Sequence, residues 1–167
     1  MKLTCLFSLC ACVGVLSLSA QKAPEPSDAK ALGRQLMSNL PGIFSIDESR
    51  TVAMGGFEIP AIRNGDWMLT TQPVPLVESF TKDTQAIAAF FVKAGDEFIR
   101  LSTTEPGEKA GTALSHSHPA YNRLHGELRY TGVVTLSGQR FMADYDVFRD
   151  RQGRIVGAYV VGIPMAQ

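Results

Sequence analysis

Two stretches of this chain are apolar at every position rather than at every second one: Ala86–Val92 and Ile155–Val161. Strands of that kind are covered on both faces and belong in the middle of a sheet. Each has an alternating partner one tight turn away. Across Ala94-Gly95-Asp96, the run Glu97–Thr103 places Phe98, Arg100 and Ser102 on one face and Ile99, Leu101 and Thr103 on the other. Across Asp150-Arg151-Gln152-Gly153, Phe141, Ala143, Tyr145 and Val147 alternate with Arg140, Met142, Asp144 and Asp146. Gly153 supplies the positive φ that this reversal needs. Gly157 and Gly162 leave room for something to press on the backbone, and Pro164 ends the ladder because it has no N–H.

Around these hairpins the pattern predicts smaller elements. Ser27-Asp28 offers a helix cap, and Ala29, Leu32, Leu36, Met37 and Leu40 recur at helical spacing until Pro41-Gly42. That apolar stripe is narrow, so the helix is expected to lie across a sheet. Ile43–Gly56 has no clean period. Phe57–Arg63 reads as a short edge strand, because Pro60 is best tolerated at an edge. Pro75–Thr81 suggests a helix begun by proline, and Thr104–Thr112 a polar loop. Ser117–His125 predicts a short helix with Ser117 as cap and Gly126 as terminator, and Arg129–Leu136 a strand. The class is α+β, with about five antiparallel strands and helices over the faces.

The first residues are of another kind. Met1-Lys2, the apolar run Leu3–Leu18 and Ser17-Leu18-Ser19-Ala20 form the pattern of a secretory signal peptide, cleaved after Ala20. An uncleaved anchor is the alternative, and Leu9-Cys10-Ala11-Cys12 weakly mimics a lipoprotein box. The expected organisation is a signal peptide over 1–20, a tether over 21–26 and one domain over 27–164. All three cysteines, Cys5, Cys10 and Cys12, fall in the leader, so the mature chain would have no disulfide or thiol chemistry. The remaining sequence has no second apolar run long enough to span a bilayer. The 167 residues are 45% hydrophobic, enough for a core, and the formal charge of +0 gives no basic surface for nucleic acid. The expected location is the periplasm.

Few residues suggest chemistry. Arg100 lies mid-strand, where a lone cation needs a partner, and its guanidinium fork suits a ligand carboxylate. Its rivals for that role within the chain are Asp144, Asp146 and Glu97. Tyr121 and Tyr145 have an apolar body and a polar tip, as pocket walls do, and the His118 helix would close over them. Thr103 and Thr131 are weaker candidates, and Arg140 reads as solvated. His116, His118 and His125 lack the convergent ligands that zinc requires. The chain has no nucleophile elbow, phosphate loop or dinucleotide fingerprint, so neither catalysis nor a cofactor is expected.

Longer pieces of sequence carry a likeness. Phe90–Thr103, Gly111-Thr112, His118–Tyr121, Tyr130–Gly132, Tyr145–Asp150 and Gly153–Pro164, in this order and spacing, resemble bacterial extracellular Cache sensor domains. The Cache 3/Cache 2 fusion or single Cache 3 branch is the most similar, and the likeness is strongest over 57–164. It implies a PAS-like sheet behind a long N-terminal helix, with a pocket between the other face and the crossing loops. It implies binding of small metabolites, often carboxylates or amines, by a domain set in chemoreceptors, histidine kinases or cyclic-dinucleotide enzymes. With no apolar span after Pro164, the chain is expected to be the sensing half alone, reporting to a membrane receptor or histidine kinase. The ligand-contact set is then Arg100, Thr103, His118, Tyr121 and Tyr145. The alternative is a module that docks on such a partner without binding a metabolite.

Overall fold

The protein is described here from a computed structural model covering residues 22–70 and 75–166. The leader read as a signal peptide lies outside the described residues. Among the described residues no helix is long and apolar enough to cross a membrane.

Helix α1 spans Pro26–Ser38, β1 Phe44–Met54, β2 Phe57–Asn64 and β3 Trp67–Met68. Helix α2 spans Pro75–Thr84, β4 Ile87–Ala94, β5 Glu97–Thr103 and α3 Pro119–His125. Strands β6 Tyr130–Leu136, β7 Gln139–Arg149 and β8 Ile155–Pro164 close the chain. The strands form two antiparallel sheets, a three-stranded one in the order β1-β2-β3 and a five-stranded one in the order β5-β4-β8-β7-β6. The final strand therefore enters the middle of the larger sheet. This is the PAS-like α+β arrangement.

The two apolar runs determine the layering. Ala88, Phe90 and Val92 of β4, with Tyr159 and Val161 of β8, face a layer made by Leu36 of α1, Val77 and Phe80 of α2, and Ile59 and Ile62 of β2. Ile87, Ala89 and Phe91, with Ala158 and Val160, face the opposite way. There they meet Leu114 in the segment that crosses from β5 to α3, and Ala120 and Leu124 of α3 itself. A sheet apolar on both sides is stable only between two such covers.

Several expectations need correction. The leading helix is not long: it has 13 residues, about 20 Å at the α-helical rise. It begins at Pro26, inside the expected tether, and Asp28 Oδ2 accepts the Glu25 N–H at 2.9 Å. Strand β2 is not an edge strand but lies between β1 and β3. Strand β3 pairs only with Arg63 and Asn64, so at Pro60 β2 has a strand on one side alone, and there the β1 register slips between Asp47 and Thr51. The aperiodic Ile43–Gly56 run is mostly β1, whose side chains are largely exposed. Helix α3 is capped by His118, not Ser117: Nδ1 accepts the Ala120 N–H at 3.2 Å.

Both margins of the large sheet are partly covered. Along β5, residues 111–114 run as an irregular segment bridged to it at Ala113: Arg100 N donates to Thr112 O, Gly111 N to Arg100 O and Leu114 N to Phe98 O. On β6, Tyr130 Oη donates to the Val133 carbonyl at 3.3 Å, and the hydroxyl would meet a Cβ at Gly132 at 2.9 Å.

Gly157 has the close approach expected of it. A Cβ there would lie 2.1 Å from the Phe91 carbonyl oxygen and 2.5 Å from Phe148 Cζ. The carbonyl cannot retreat without breaking the β4–β8 ladder, and the Phe148 ring is held between Phe44 and Phe90. Gly157→Ala is therefore expected to destabilise the protein by at least about 2 kcal/mol, seen as a lower urea midpoint at an unchanged m-value.

Candidate functional site

Arg100 stands mid-β5 with 2% of its surface exposed. A guanidinium so stripped of water needs partners, and the crossing segment supplies them. Nε donates to Glu105 Oε2 at 2.7 Å, and Glu105 is itself only 3% exposed. Nη1 donates to the Ala113 carbonyl at 3.0 Å and to Thr112 Oγ1 at 3.2 Å, and pairs with Glu108 Oε2 at 3.2 Å. The group lies 5.1 Å from the Phe91 ring centroid. The partners anticipated from sequence are engaged elsewhere: Asp144 and Asp146 with Arg129, and Glu97 with His116.

Simple alternation would put Thr103 on the face opposite Arg100. A bulge reverses this. Phe90 pairs with Ser102 and Phe91 with Arg100, so Leu101 is an extra residue in β5. Beyond it Thr103 pairs with Ala89, which shares the face of Phe91, and so rejoins Arg100. Its Oγ1 accepts the Glu105 N–H at 2.9 Å and donates to Glu105 Oε2 at 3.2 Å.

The chain of contacts continues through Tyr145 on β7, which is fully buried. Its hydroxyl donates to Glu105 Oε1 at 3.3 Å and lies 3.3 Å from His118 Nε2. Because His118 Nδ1 accepts from Ala120, the neutral ring carries its proton on Nε2, and the partners assign that nitrogen as donor to Tyr145. Every link then has a consistent direction: His118 to Tyr145, Tyr145 to Glu105, Arg100 to Glu105. Burial, and after it the Arg100 charge, push the His118 pKa down to about 4. Burial and the Glu105 carboxylate push the Tyr145 hydroxyl well above the usual tyrosine range. Both groups are therefore neutral at pH 7.

Tyr121 lies apart from this chain. Its hydroxyl donates to the Asp96 carbonyl at 2.9 Å, in the β4–β5 turn, and His125 Nε2 contacts the same oxygen at 2.6 Å. Its ring is flanked by His116 and His125, at 4.4 and 4.5 Å between centroids. Thr131 is on the other face of the sheet, donating to Asp144 Oδ1 at 2.8 Å, and Arg140 is exposed.

Three of the five predicted contacts, Arg100, Thr103 and Tyr145, thus converge on a residue that sequence reasoning missed, Glu105, and His118 joins them through Tyr145. The available signal was an acid five positions beyond a mid-strand arginine, in a loop that has to cross that face. Glu108 is the network's outward member, 34% exposed in its side chain. It lines a hollow of ≈ 520 Å³ beside the network, together with Leu69, Leu101, Thr103 and Lys109. The arrangement can orient a carboxylate or an amine, and it holds no nucleophile against a base.

The sequence matches the family model described as the Cache 3/Cache 2 fusion domain over residues 19–167. No curated protein and no solved structure matches it.

Arg100→Met leaves Glu105 buried without its partner and is expected to cost roughly 3–5 kcal/mol, whereas Arg100→Met/Glu105→Leu should recover most of that loss in denaturant melts. His118 should titrate near pH 4 by NMR, against an ordinary value of 6.5. Because the folded pKa is the lower one, the unfolded chain binds this proton more readily. The associated stability is intact above pH 6.5 and lost as pH falls through about 4.

Proposed function

Since this chain belongs to the Cache 3/Cache 2 fusion domain family, whose members are typically extracellular small-molecule sensing domains of signal transduction rather than catalysts, we propose that it is an exported sensor domain of the periplasm. Its ligand is a small carboxylate, with amino acids the preferred class. The observation that carries this reading is the buried pair of Arg100 and Glu105, set with Thr103, Tyr145 and His118 in an otherwise apolar layer on the face away from α1. A few polar groups placed within apolar walls are the usual composition of a small-molecule site. Glu105 stands where a ligand carboxylate would bind Arg100, and a zwitterion inserted into the pair would satisfy both halves: its carboxylate on Arg100, its ammonium on Glu105. Entry is from the hollow at Glu108, and Tyr121 and α3 act as the outer wall.

One observation favours a second reading. The same layer is filled by Phe91, Phe98, Phe141, Leu114 and Leu124, all nearly free of solvent contact. A domain that stayed this full would act by docking on a membrane receptor or histidine kinase.

Thermal-shift screening of amino acids and organic acids distinguishes the two. A ligand at a hundred times its Kd should add about 2.7 kcal/mol to the wild type. It should add nothing to Arg100→Met/Glu105→Leu, the variant expected to fold without the ion pair. If no compound shifts the wild type, or if a shift survives in the double variant, the Arg100 site is wrong.

A further inference from the structure

The opposite face of the sheet holds another buried carboxylate. Asp144, in the middle of β7, has 0% of its surface exposed. Its Oδ1 accepts from Thr131 Oγ1 at 2.8 Å and lies 3.5 Å from Arg129 Nε. Its Oδ2 is buried and has no hydrogen-bond partner among the described residues. That free oxygen points at α1: a Cβ on Gly33 would lie 3.0 Å from it and 3.0 Å from Tyr159 Cε2. Glycine at this turn of the helix lets the backbone settle directly on the acid.

The surrounding charges do not make up for the unpaired oxygen. Arg129 is drawn away to Asp146 Oδ2 and to the Tyr159 hydroxyl, the latter at 3.2 Å, and its Nε makes no hydrogen bond among the described residues. From α1 only Lys30 acts on Asp144, and its influence ranks below that of Arg129. Asp146 on β7 opposes ionisation, and Tyr159 on β8 is neutral, its hydroxyl pushed up by burial. A carboxylate that is dry, half-paired and next to another acid holds its proton more tightly than one in water.

We propose that Asp144 is a proton-binding site between α1 and the sheet, and that taking up the proton tightens the hold of the sheet on α1. The reading is independent of the Arg100 site, which lies on the other face. Burial, the largest influence, raises the Asp144 pKa above its ordinary 3.8 when α1 is docked. The docked form therefore binds the proton more tightly than the undocked one. As pH falls through the raised value docking gains strength, and the gain is complete below 3.8, where both forms are protonated. Each unit of separation between the two values is worth about tenfold in the docking equilibrium.

Amide hydrogen exchange of the folded protein between about pH 7 and about pH 4, corrected for the intrinsic chemistry of exchange, reads this directly. Protection of α1 should rise several-fold on acidification in the wild type. In Asp144→Asn it should already be high at neutral pH and stay flat. Thr131→Val removes the hydrogen bond that favours the charged form, so the midpoint should move to higher pH. That variant keeps the test open if the asparagine does not fold. His118 titrates in the same range with the opposite sign and on the opposite face, so the difference between wild type and variant isolates Asp144. Equal α1 profiles in wild type and Asp144→Asn, or a midpoint unmoved by Thr131→Val, would overturn the proposal.

Discussion

A charged guanidinium cannot lie among phenylalanines without a carboxylate beside it, and much of this molecule is arranged around meeting that demand at Arg100. Leaving such a charge unpaired costs several kcal/mol, a large share of the net stability of a domain. Glu105 meets the demand from the crossing segment, so that segment cannot wander. Its backbone is drawn alongside β5, and its far end delivers His118 to the start of α3. The order of cause runs from one strand residue, to one loop residue, to the position of a whole helix.

The central architecture was legible because it rests on hydrophobic period. Strands apolar on both faces announced β4 and β8, and the turns at Gly95 and Gly153 placed their partners. What was not legible depended on unequal pairing, where one strand carries residues its neighbour does not match. The bulge at Leu101 moves Thr103 to the other face, and the slip opposite Pro60 leaves residues 48–50 of β1 without partners on β2. Neither is visible in a run of residue types, because period alone cannot show where a strand has more residues than its neighbour. Strand β1 was missed for a simpler reason: most of its side chains face solvent, so burial left little pattern on them.

At the candidate site, the sequence located Arg100, Thr103, His118 and Tyr145 but not what joins them. An acid in a polar loop looks solvated, and only the fold shows that Glu105 is nearly dry. Tyr121 had the same credentials as Tyr145, yet lies at the hairpin turn, because α3 runs past the network and sets its outer residues on Asp96. The two faces of the sheet thus handle buried acids differently. On one, Glu105 is satisfied by an arginine, a threonine and a tyrosine; on the other, Asp144 keeps one oxygen without a partner beneath a glycine.

The bridged segment at 111–114 lies along the open edge of β5. It shields the outer rim of β5, and its anchorage depends in part on the glutamates that grip Arg100. Were those grips loosened, a row of unsatisfied main-chain groups would face water, ready to template a strand from another molecule. Plasticity here and resistance to aggregation therefore pull against each other, and both are governed by the same few oxygens.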